Sequence, residues 1–253
     1  MNRVRLVLFL ASCAVLAAVL ASGLSALHPV GRAQPPSSSY GDAANAISVQ
    51  ERHITDAVTA VNFDLRGFDT LGEEFILFAA VMGVMLLLRH HPDEEHAQSS
   101  DQAPGRRVPR TSDAIRIFAV LLVGPLVVFG LYLVTHGQIS PGGGFQGGVI
   151  LATAPLLIYL AGHFPWLRRL VPRVLVETGE AVGAGGYAVI GAVALLHGEP
   201  FLFNFLPFGR PGTVFSGGTV AVIDLTVGLA VAGGFVMILK TFLDRTVLRR
   251  QPR

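Results

Sequence analysis

The chain alternates between long apolar stretches and polar connections. Crossing the hydrocarbon core of a membrane takes about 20 helical residues, because a helix rises about 1.5 Å per residue. Six stretches come close to that length, and the second and fourth are the shortest. They cover residues 6–27, 71–88, 114–135, 144–161, 174–197 and 217–239. The pattern predicts an all-α integral membrane protein with about six transmembrane helices.

The basic residues follow alternate connections. Of the 19 Lys and Arg residues, all but Arg32, Arg52, Arg66 and Arg210 lie near the chain ends or around the second and fourth connections. Positive charge is retained on the cytoplasmic side of a membrane, so the pattern predicts that both termini are cytoplasmic. Charged residues make up only 14% of the chain, against about a quarter in soluble domains. Because the basic residues are divided among short connections, we expect no nucleic-acid partner.

The first apolar stretch has a competing interpretation. Basic residues precede it, and the string LASC, which ends at Cys13, resembles a lipoprotein cleavage site, so a cleaved signal peptide is the alternative. The apolar run of 22 residues is long for a signal peptide and favours a retained helix. Cys13 is the only cysteine, which excludes an internal disulfide and a cysteine-based metal site.

Two polar linkers suggest a division of the chain. Residues 28–70 form a long outer connection, in which the apolar spacing after Asp42 predicts a short amphipathic helix. Residues 91–113 are polar and contain proline, which is typical of a cytoplasmic linker. We therefore predict a two-span module over residues 1–90 and a four-span domain over residues 114–245.

Enzyme signatures are missing from the sequence. It contains no phosphate-binding glycine loop, no HExxH and no GxSxG, so we expect a protein that is not an enzyme and has no cofactor. His90, His91 and His96 lie close together in HHPDEEH. Nothing in that string fixes a coordination geometry, so we interpret it as a solvated loop and expect no metal.

The string HGQISPGGGFQGGV joins the third and fourth apolar stretches. Three glycines after Pro141 cannot form a stable helix interior, which predicts a turn over Gly142, Gly143 and Gly144. Gly144 and Gly148 are four residues apart, a spacing that permits close packing of helices. Irregular backbone at membrane depth must be shielded by protein or line a wet cavity. A place in an ion pathway, which would include His136 at the start of the string, is therefore a secondary possibility.

Acidic residues within the apolar stretches are the sharpest functional candidates. Asp224 follows seven apolar-stretch residues, about 10 Å from the outer end, and an ionisable group there favours function over a simple interhelical hydrogen bond. Glu73 stands three residues after Thr70, so a capping box and a functional role are equally supported. Glu177 and Glu180 are explained by a solvated or dipole-stabilised first helical turn.

Three strings resemble a known family of membrane complexes. VNFDLRGFDTLGE (residues 61–73) resembles the end of the A subunit of multisubunit Na⁺/H⁺ antiporters of the Mrp or Mnh type, and also the small E subunit of archaeal membrane-bound hydrogenases. HGQISPGGGFQGG (136–148) and SGGTVAVIDLTVGLAVAGG (216–234) resemble the antiporter B subunit, with the first string the more specific. The usual division between A and B subunits does not include this fusion.

The resemblance implies a non-catalytic subunit in the cell membrane of a prokaryote. It implies other antiporter subunits and lipid as partners, and Na⁺ and H⁺ as the transported ions. Glu73 and Asp224 fall on acids of the family strings, whereas Glu74 is not expected there. The ion-pathway candidates are therefore Asp224, Glu73 and His136. The alternatives are the equivalent module of a membrane-bound hydrogenase or related respiratory complex, and a purely structural scaffold.

Overall fold

A computed structural model describes residues 3–25, 40–88, 112–161, 167 and 169–248. Helix is the regular structure throughout these residues, and a π-helical turn at Val61–Leu65 connects the third and fourth helices. The helices are α1 (Arg3–Ser25), α2 (Tyr40–Gln50), α3 (Ala57–Ala60), α4 (Gly67–Leu87), α5 (Asp113–His136), α6 (Gly144–Leu160), α7 (Arg173–Leu196) and α8 (Thr219–Leu248).

Four of these helices are long and apolar enough to cross a membrane. They are Gly67–Leu87, Asp113–His136, Arg173–Leu196 and the Thr219–Leu243 part of α8. Helix α6 is apolar but has only 17 residues. The predicted all-helical membrane fold is confirmed, whereas the count of six spans and the position of the termini stay predictions. Helix α1 coincides with the first apolar stretch, and its retention also stays a prediction.

The chain forms two compact units, residues 1–42 and residues 43–253. The first unit contains α1. In the second unit, α4 packs against α7 and α8. The compact units therefore divide after Asp42, whereas most of the predicted cytoplasmic linker lies outside the described residues. The assignment of residues 1–90 and 114–245 to separate sequence modules stays a prediction.

Helix α8 lies at the centre of the second unit. It contacts α4, α5, α6 and α7. In the most apolar part of α8, 56% of the residues are buried, against 17% in the corresponding part of α5. Most residues of α5 are therefore not enclosed by the rest of the chain. One face of α8 builds the core together with Tyr187 of α7 and with Ile54 and Phe63. The residues of that face recur every three or four positions: Val220, Ile223, Val227 and Val231.

The outer connection contains a short helix, α2, as the sequence predicts, but the apolar spacing beyond it does not continue as one helix. Helix α2 ends at Gln50, and helical structure resumes only at Ala57. Between them, His53 adopts a positive φ of 56° and the Ile54 nitrogen donates to the Ser48 carbonyl at 2.8 Å. This fold-back buries the Ile54 side chain completely in the core, so its apolar character reflects tertiary packing and not a helical face.

Candidate functional site

The glycine-rich string forms the turn between α5 and α6. Helix α5 ends at His136, and α6 begins at Gly144. Gly143 immediately before α6 has a φ of 119°, a backbone conformation that residues with a side chain rarely adopt. Its nitrogen donates to the Leu133 carbonyl at 3.1 Å, which folds the turn back onto α5. The turn therefore places the start of α6, whose first N–H groups have no carbonyl partner within the helix, in the protein interior.

Asp224 of α8 meets this helix start. Its side chain is completely buried, and its Oδ1 accepts a hydrogen bond from the Gly144 nitrogen at 2.5 Å. A carboxylate is favourable at this position because the N-terminus of a helix carries partial positive charge. Its other oxygen, Oδ2, is buried without a hydrogen-bond partner. Asp224 thus makes the interhelical hydrogen bond that sequence reasoning offered as the alternative, and still has one oxygen available.

Glycines let the backbone of α6 come into direct contact with the backbones of α5 and α8. A Cβ atom at Gly144 would lie 2.6 Å from the Gly228 nitrogen, and one at Gly148 would lie 2.8 Å from the Gly228 carbonyl oxygen. On the opposite side, a Cβ atom at Gly147 would lie 2.7 Å from the Gly130 carbonyl oxygen of α5. Real Cβ atoms essentially never come closer than 3.0 Å, so α6 fits between α5 and α8 only with glycine at these positions.

The turn residues have different surroundings. Gly137 lies against the unpartnered oxygen of Asp224, and a Cβ atom there would overlap it. A Cβ atom at Gly142 would lie 3.1 Å from the Leu133 side chain, whereas Pro141 is exposed. A role in the turn or in helix packing stays a prediction for the five residues named from the sequence, Pro141, Gly142, Gly143, Gly144 and Gly148.

His136 is half-buried and contacts its own helix. Its ring stacks on Tyr132 with 4.2 Å between centroids, and its Nδ1 lies 3.1 Å from the Tyr132 carbonyl oxygen. The hydroxyl of Thr135 lies 3.2 Å from the same nitrogen. His136 therefore stands at the end of α5 beside the turn, and its part in an ion pathway stays a prediction.

Polar contacts join the turn to the outer segments. Gln138 is buried, its carbonyl accepts from the Thr55 nitrogen at 3.1 Å, and its side chain donates to the Val214 carbonyl at 2.5 Å. Asp56 caps α3 by accepting from the Val58 nitrogen at 3.1 Å. The sequence did not indicate this cap, because its position depends on the fold-back of the outer connection.

The neighbouring acids Glu73 and Glu74 differ in their exposure. Helix α4 begins at Gly67, and the Thr70 hydroxyl donates to the Asn62 carbonyl at 2.7 Å, so the capping-box alternative for Thr70 and Glu73 is wrong. The Glu73 side chain is exposed on the surface of α4. Glu74 is only 2% exposed, and both of its carboxylate oxygens lack a hydrogen-bond partner.

Glu177 and Glu180 also differ from each other. Glu177 pairs with Arg173 at 2.5 Å, as a residue of a solvated first turn can. Glu180 is buried, with 4% exposure, and its Oε1 has no partner. The expectation of a solvated position is therefore wrong for Glu180. The one signal available in the sequence was its position, a full turn deeper in α7 than Glu177.

Within the described part of the chain, no three His, Cys, Asp or Glu side chains are grouped so that they could hold a metal ion. The histidines at 90, 91 and 96 lie outside the described residues. The chemistry that the site offers is therefore that of buried carboxylates at a break between helices, in a chain with several helices able to span a membrane. These features define a multi-pass membrane protein whose interior carries ionisable groups.

Comparison with known proteins identifies the family. Residues 114–237 match the family described as "Domain related to MnhB subunit of Na+/H+ antiporter". The Na⁺/H⁺ antiporter B subunit of Bacillus subtilis is 32% identical over 138 residues, which are 52% of this chain and 94% of that protein. The chain belongs to this family of antiporter B subunits, and it is a multi-pass membrane protein of the prokaryotic type.

A second relative extends beyond the B-type region. The probable K⁺/H⁺ antiporter A/B subunit of Rhizobium meliloti is 27% identical over 216 residues, which are 79% of this chain and 21% of that protein. The match therefore includes residues before the B-type domain and lies within a much longer chain. This agrees with the resemblance of the DTLGE segment to the end of the antiporter A subunit.

Two solved structures share the fold. A chain of the membrane-bound sulfane sulfur reductase, described as an archaeal respiratory membrane complex, aligns with a TM-score of 0.68 and 31% identity, covering 95% of this chain and 98% of that one. A chain of the Mrp complex from Dietzia sp. DQ12-45-1b aligns with a TM-score of 0.66 and 25% identity, covering 95% of this chain and 26% of that one.

Proposed function

We propose that this chain is a membrane subunit of a multisubunit Na⁺/H⁺ antiporter complex, in which it contributes to the ion pathway and to assembly. The observation that carries the proposal is Asp224, completely buried at the start of α6 with one oxygen bonded and the other unpartnered. An ionisable group inside a membrane protein is costly unless it is paired or functional. Its place in a chain of the antiporter B family supports a role in ion movement.

The two oxygens of Asp224 suit different tasks. Oδ1 is held by the Gly144 nitrogen, which fixes the position of the carboxylate at the break between α5 and α6. Oδ2 is unpartnered and lies against Gly137, where it can accept and release a proton or contact a passing ion. Under this proposal the chain carries out no chemical conversion and needs no cofactor, and the glycine turn positions the acid.

The surface of α4 supports a role in assembly. Glu73 is exposed there beside Phe75 and Ile76, which are 50% and 70% exposed. An acid on an apolar helix surface is unfavourable against lipid, so we infer that another subunit covers Glu73 in the complex. Within that contact between subunits, Glu73 remains an ion-pathway candidate together with Asp224 and His136.

The respiratory complex offers a second candidate function. The alignment with the sulfane sulfur reductase chain covers nearly the whole of both chains, which favours the equivalent module of a respiratory membrane complex. Purifying the tagged protein in mild detergent and identifying its partners by mass spectrometry separates the two. Large antiporter subunits support the first candidate, and a nickel–iron hydrogenase or sulfur-reducing subunit supports the second.

The central test replaces Asp224 in two ways. Asp224→Asn retains an oxygen that can accept from Gly144 but removes the titratable group, so we expect an assembled complex with antiport lowered by about 100-fold. Asp224→Ala removes both, so we expect lower complex abundance as well. The assay is Na⁺-dependent dissipation of a pH gradient in everted vesicles, with the abundance of the complex measured in parallel.

Asp113→Asn is the matched control. This acid begins α5, and its side chain is 92% exposed, so its loss is expected to leave exchange unchanged. Full exchange by assembled Asp224→Asn complexes would refute the ion-pathway role and support the scaffold alternative. Robust exchange by the isolated chain in liposomes would refute the proposal that it works as part of a complex.

A further inference from the structure

Two further acids are buried away from Asp224. Glu74 on α4 and Glu180 on α7 are 2% and 4% exposed. Three of their carboxylate oxygens, both of Glu74 and Oε1 of Glu180, are buried without a hydrogen-bond partner. Native proteins pair nearly all buried polar atoms, so three orphan oxygens in one region need an explanation.

The helices bring these acids to a similar depth. The Tyr187 hydroxyl of α7 donates to the Gly67 carbonyl at the start of α4, with 2.7 Å between the oxygens. Glu74 comes seven residues after Gly67, and Glu180 comes seven residues before Tyr187. Each interval corresponds to about 10 Å along a helix axis. The two acids therefore lie at about the same depth if α4 and α7 run in opposite directions.

A second contact establishes that opposite direction. A Cβ atom at Gly234 of α8 would lie 3.5 Å from Glu180 Oε1, 3.1 Å from Val81 Cγ2 and 3.8 Å from Leu77 Cγ. Leu77 and Val81 lie after Gly67 on α4, whereas Glu180 lies before Tyr187 on α7. Residue numbers therefore increase in opposite directions along the two helices. Leu77 and Val81 are also three and seven residues from Glu74, which places all three on one face of α4.

Helix α8 leaves space for the Glu180 carboxylate. A Cβ atom at Gly233 would lie 2.8 Å from the Glu180 nitrogen, and Gly234 stands beside Oε1. The two glycines thus bring the backbones of α7 and α8 together where the acid enters the interior. Gly234 comes ten residues after Asp224, about 15 Å along α8, so this region is distinct from the Asp224 site.

Cationic side chains of the surrounding helices are engaged elsewhere. Arg173 pairs with Glu177, and the Lys240 Nζ donates to the Val171 carbonyl at 2.5 Å. The ionisable side chains of α4, α7 and α8 up to Leu243 are Asp69, Glu73, Glu74, Arg173, Glu177, Glu180, Tyr187, Asp224 and Lys240. Among the described residues, no ion pair therefore neutralises Glu74 or Glu180.

The neighbours of Glu180 also discriminate between possible occupants. A hard metal cation is held by several oxygen ligands, whereas the point beside Gly234 that lies 3.5 Å from Oε1 is also within 4 Å of the Leu77 and Val81 side chains. A proton needs only the carboxylate oxygen. Building on the proposed function, we propose that Glu74 and Glu180 form a proton-transfer site between α4, α7 and α8, distinct from the Asp224 site.

The test compares isosteric substitutions in the full complex. Glu74→Gln and Glu180→Gln keep the side-chain shape and remove the proton-binding group, and Glu177→Gln on the same helix is the control. We expect each of the first two to lower antiport in everted vesicles by about 100-fold. If both acids serve one path, the double variant is no slower than either single variant. Glu74→Asp and Glu180→Asp, which keep a titratable group, should regain part of the activity.

An infrared readout separates this inference from the antiporter proposal. Purified complex should have carboxylic C=O absorption that responds to a change in pH and to exchange into D₂O, and that absorption should fall in both Gln variants but not in Glu177→Gln. If the wild-type complex has this absorption but shows no antiport activity, the proposed function is refuted and the proton site is retained. Unchanged infrared bands, or full antiport by the assembled Glu74→Gln, Glu180→Gln double variant, would overturn the inference.

Discussion

Gly144→Ala is the most informative packing variant, because a single methyl group meets backbone atoms of another helix. The new Cβ atom would overlap the Asp224 carbonyl oxygen and would lie 2.6 Å from the Gly228 nitrogen and 2.9 Å from the Val227 Cβ atom. Ordinary contact begins at 3.4 Å, so the Gly228 nitrogen alone requires a local separation of about 0.8 Å between α6 and α8, and the Asp224 carbonyl oxygen requires more. The separation also stretches the 2.5 Å hydrogen bond between Gly144 and Asp224.

The cost has three parts. Overpacking a tight interior typically costs about 1–3 kcal/mol, and losing a hydrogen bond to a charged group costs about 1.5–3 kcal/mol. Alanine returns about 1 kcal/mol because it favours the helix more than glycine does. The net loss is about 1.5–5 kcal/mol. It corresponds to a fall in melting temperature of roughly 3–20 °C for a domain of this size.

The assay is thermal unfolding of the detergent-solubilised protein, followed by size-exclusion chromatography with fluorescence detection. Gly124→Ala on α5 is the control, because a Cβ atom there has nothing within 4 Å. The control should unfold at the wild-type temperature or slightly above it, since only the helix-propensity gain remains. Equal melting temperatures for Gly144→Ala and Gly124→Ala would refute the close approach of α6 and α8.

Two further predictions concern the second unit and the topology. Tyr187→Phe removes the hydroxyl that donates to the Gly67 carbonyl, so melting should fall by roughly 2–4 °C, for a loss of about 1 kcal/mol, in the same chromatographic assay. An unchanged melting temperature would contradict that bond. In a Cys13→Ala background, an impermeant thiol reagent added outside intact cells should label Glu199→Cys but not Arg169→Cys, because basic connections stay inside. The reverse labelling would overturn the topology.

The start of α6 could be predicted from the sequence because its signals are local. Pro141 and the glycines after it exclude a continuous helix and permit the turn, and the predicted stretch 144–161 agrees closely with Gly144–Leu160. Asp224 was also recognisable, since an acid among apolar residues stands out regardless of its neighbours. Its hydrogen bond to Gly144 was not predictable, because the two residues are 80 positions apart.

The burial of Glu74 and Glu180 could not be predicted, because both helices are apolar around most of their circumference. Adjacent residues on a helix point about 100° apart, so Glu73 and Glu74 face different surroundings. In a soluble protein, polar residues would mark the outer face, but in a membrane the outer face is also apolar. Only the packing of α4 against α7 and α8 determines which of the two acids is enclosed.

At the Asp224 site, Gly144 determines both the contact between helices and the position of the carboxylate. The absence of a side chain at Gly144 lets α6 approach α8, and that approach brings the Gly144 N–H within reach of Asp224 Oδ1. A substitution of Gly144 therefore disturbs the helix contact and the carboxylate together, and lost activity in that variant would not identify the cause. Asp224→Asn changes the carboxylate without adding bulk. If both variants lose exchange equally, their melting temperatures separate the two roles. A lower melting temperature for Gly144→Ala alone shows the packing role of the glycine, and the lost exchange of a stable Asp224→Asn shows the role of the acid.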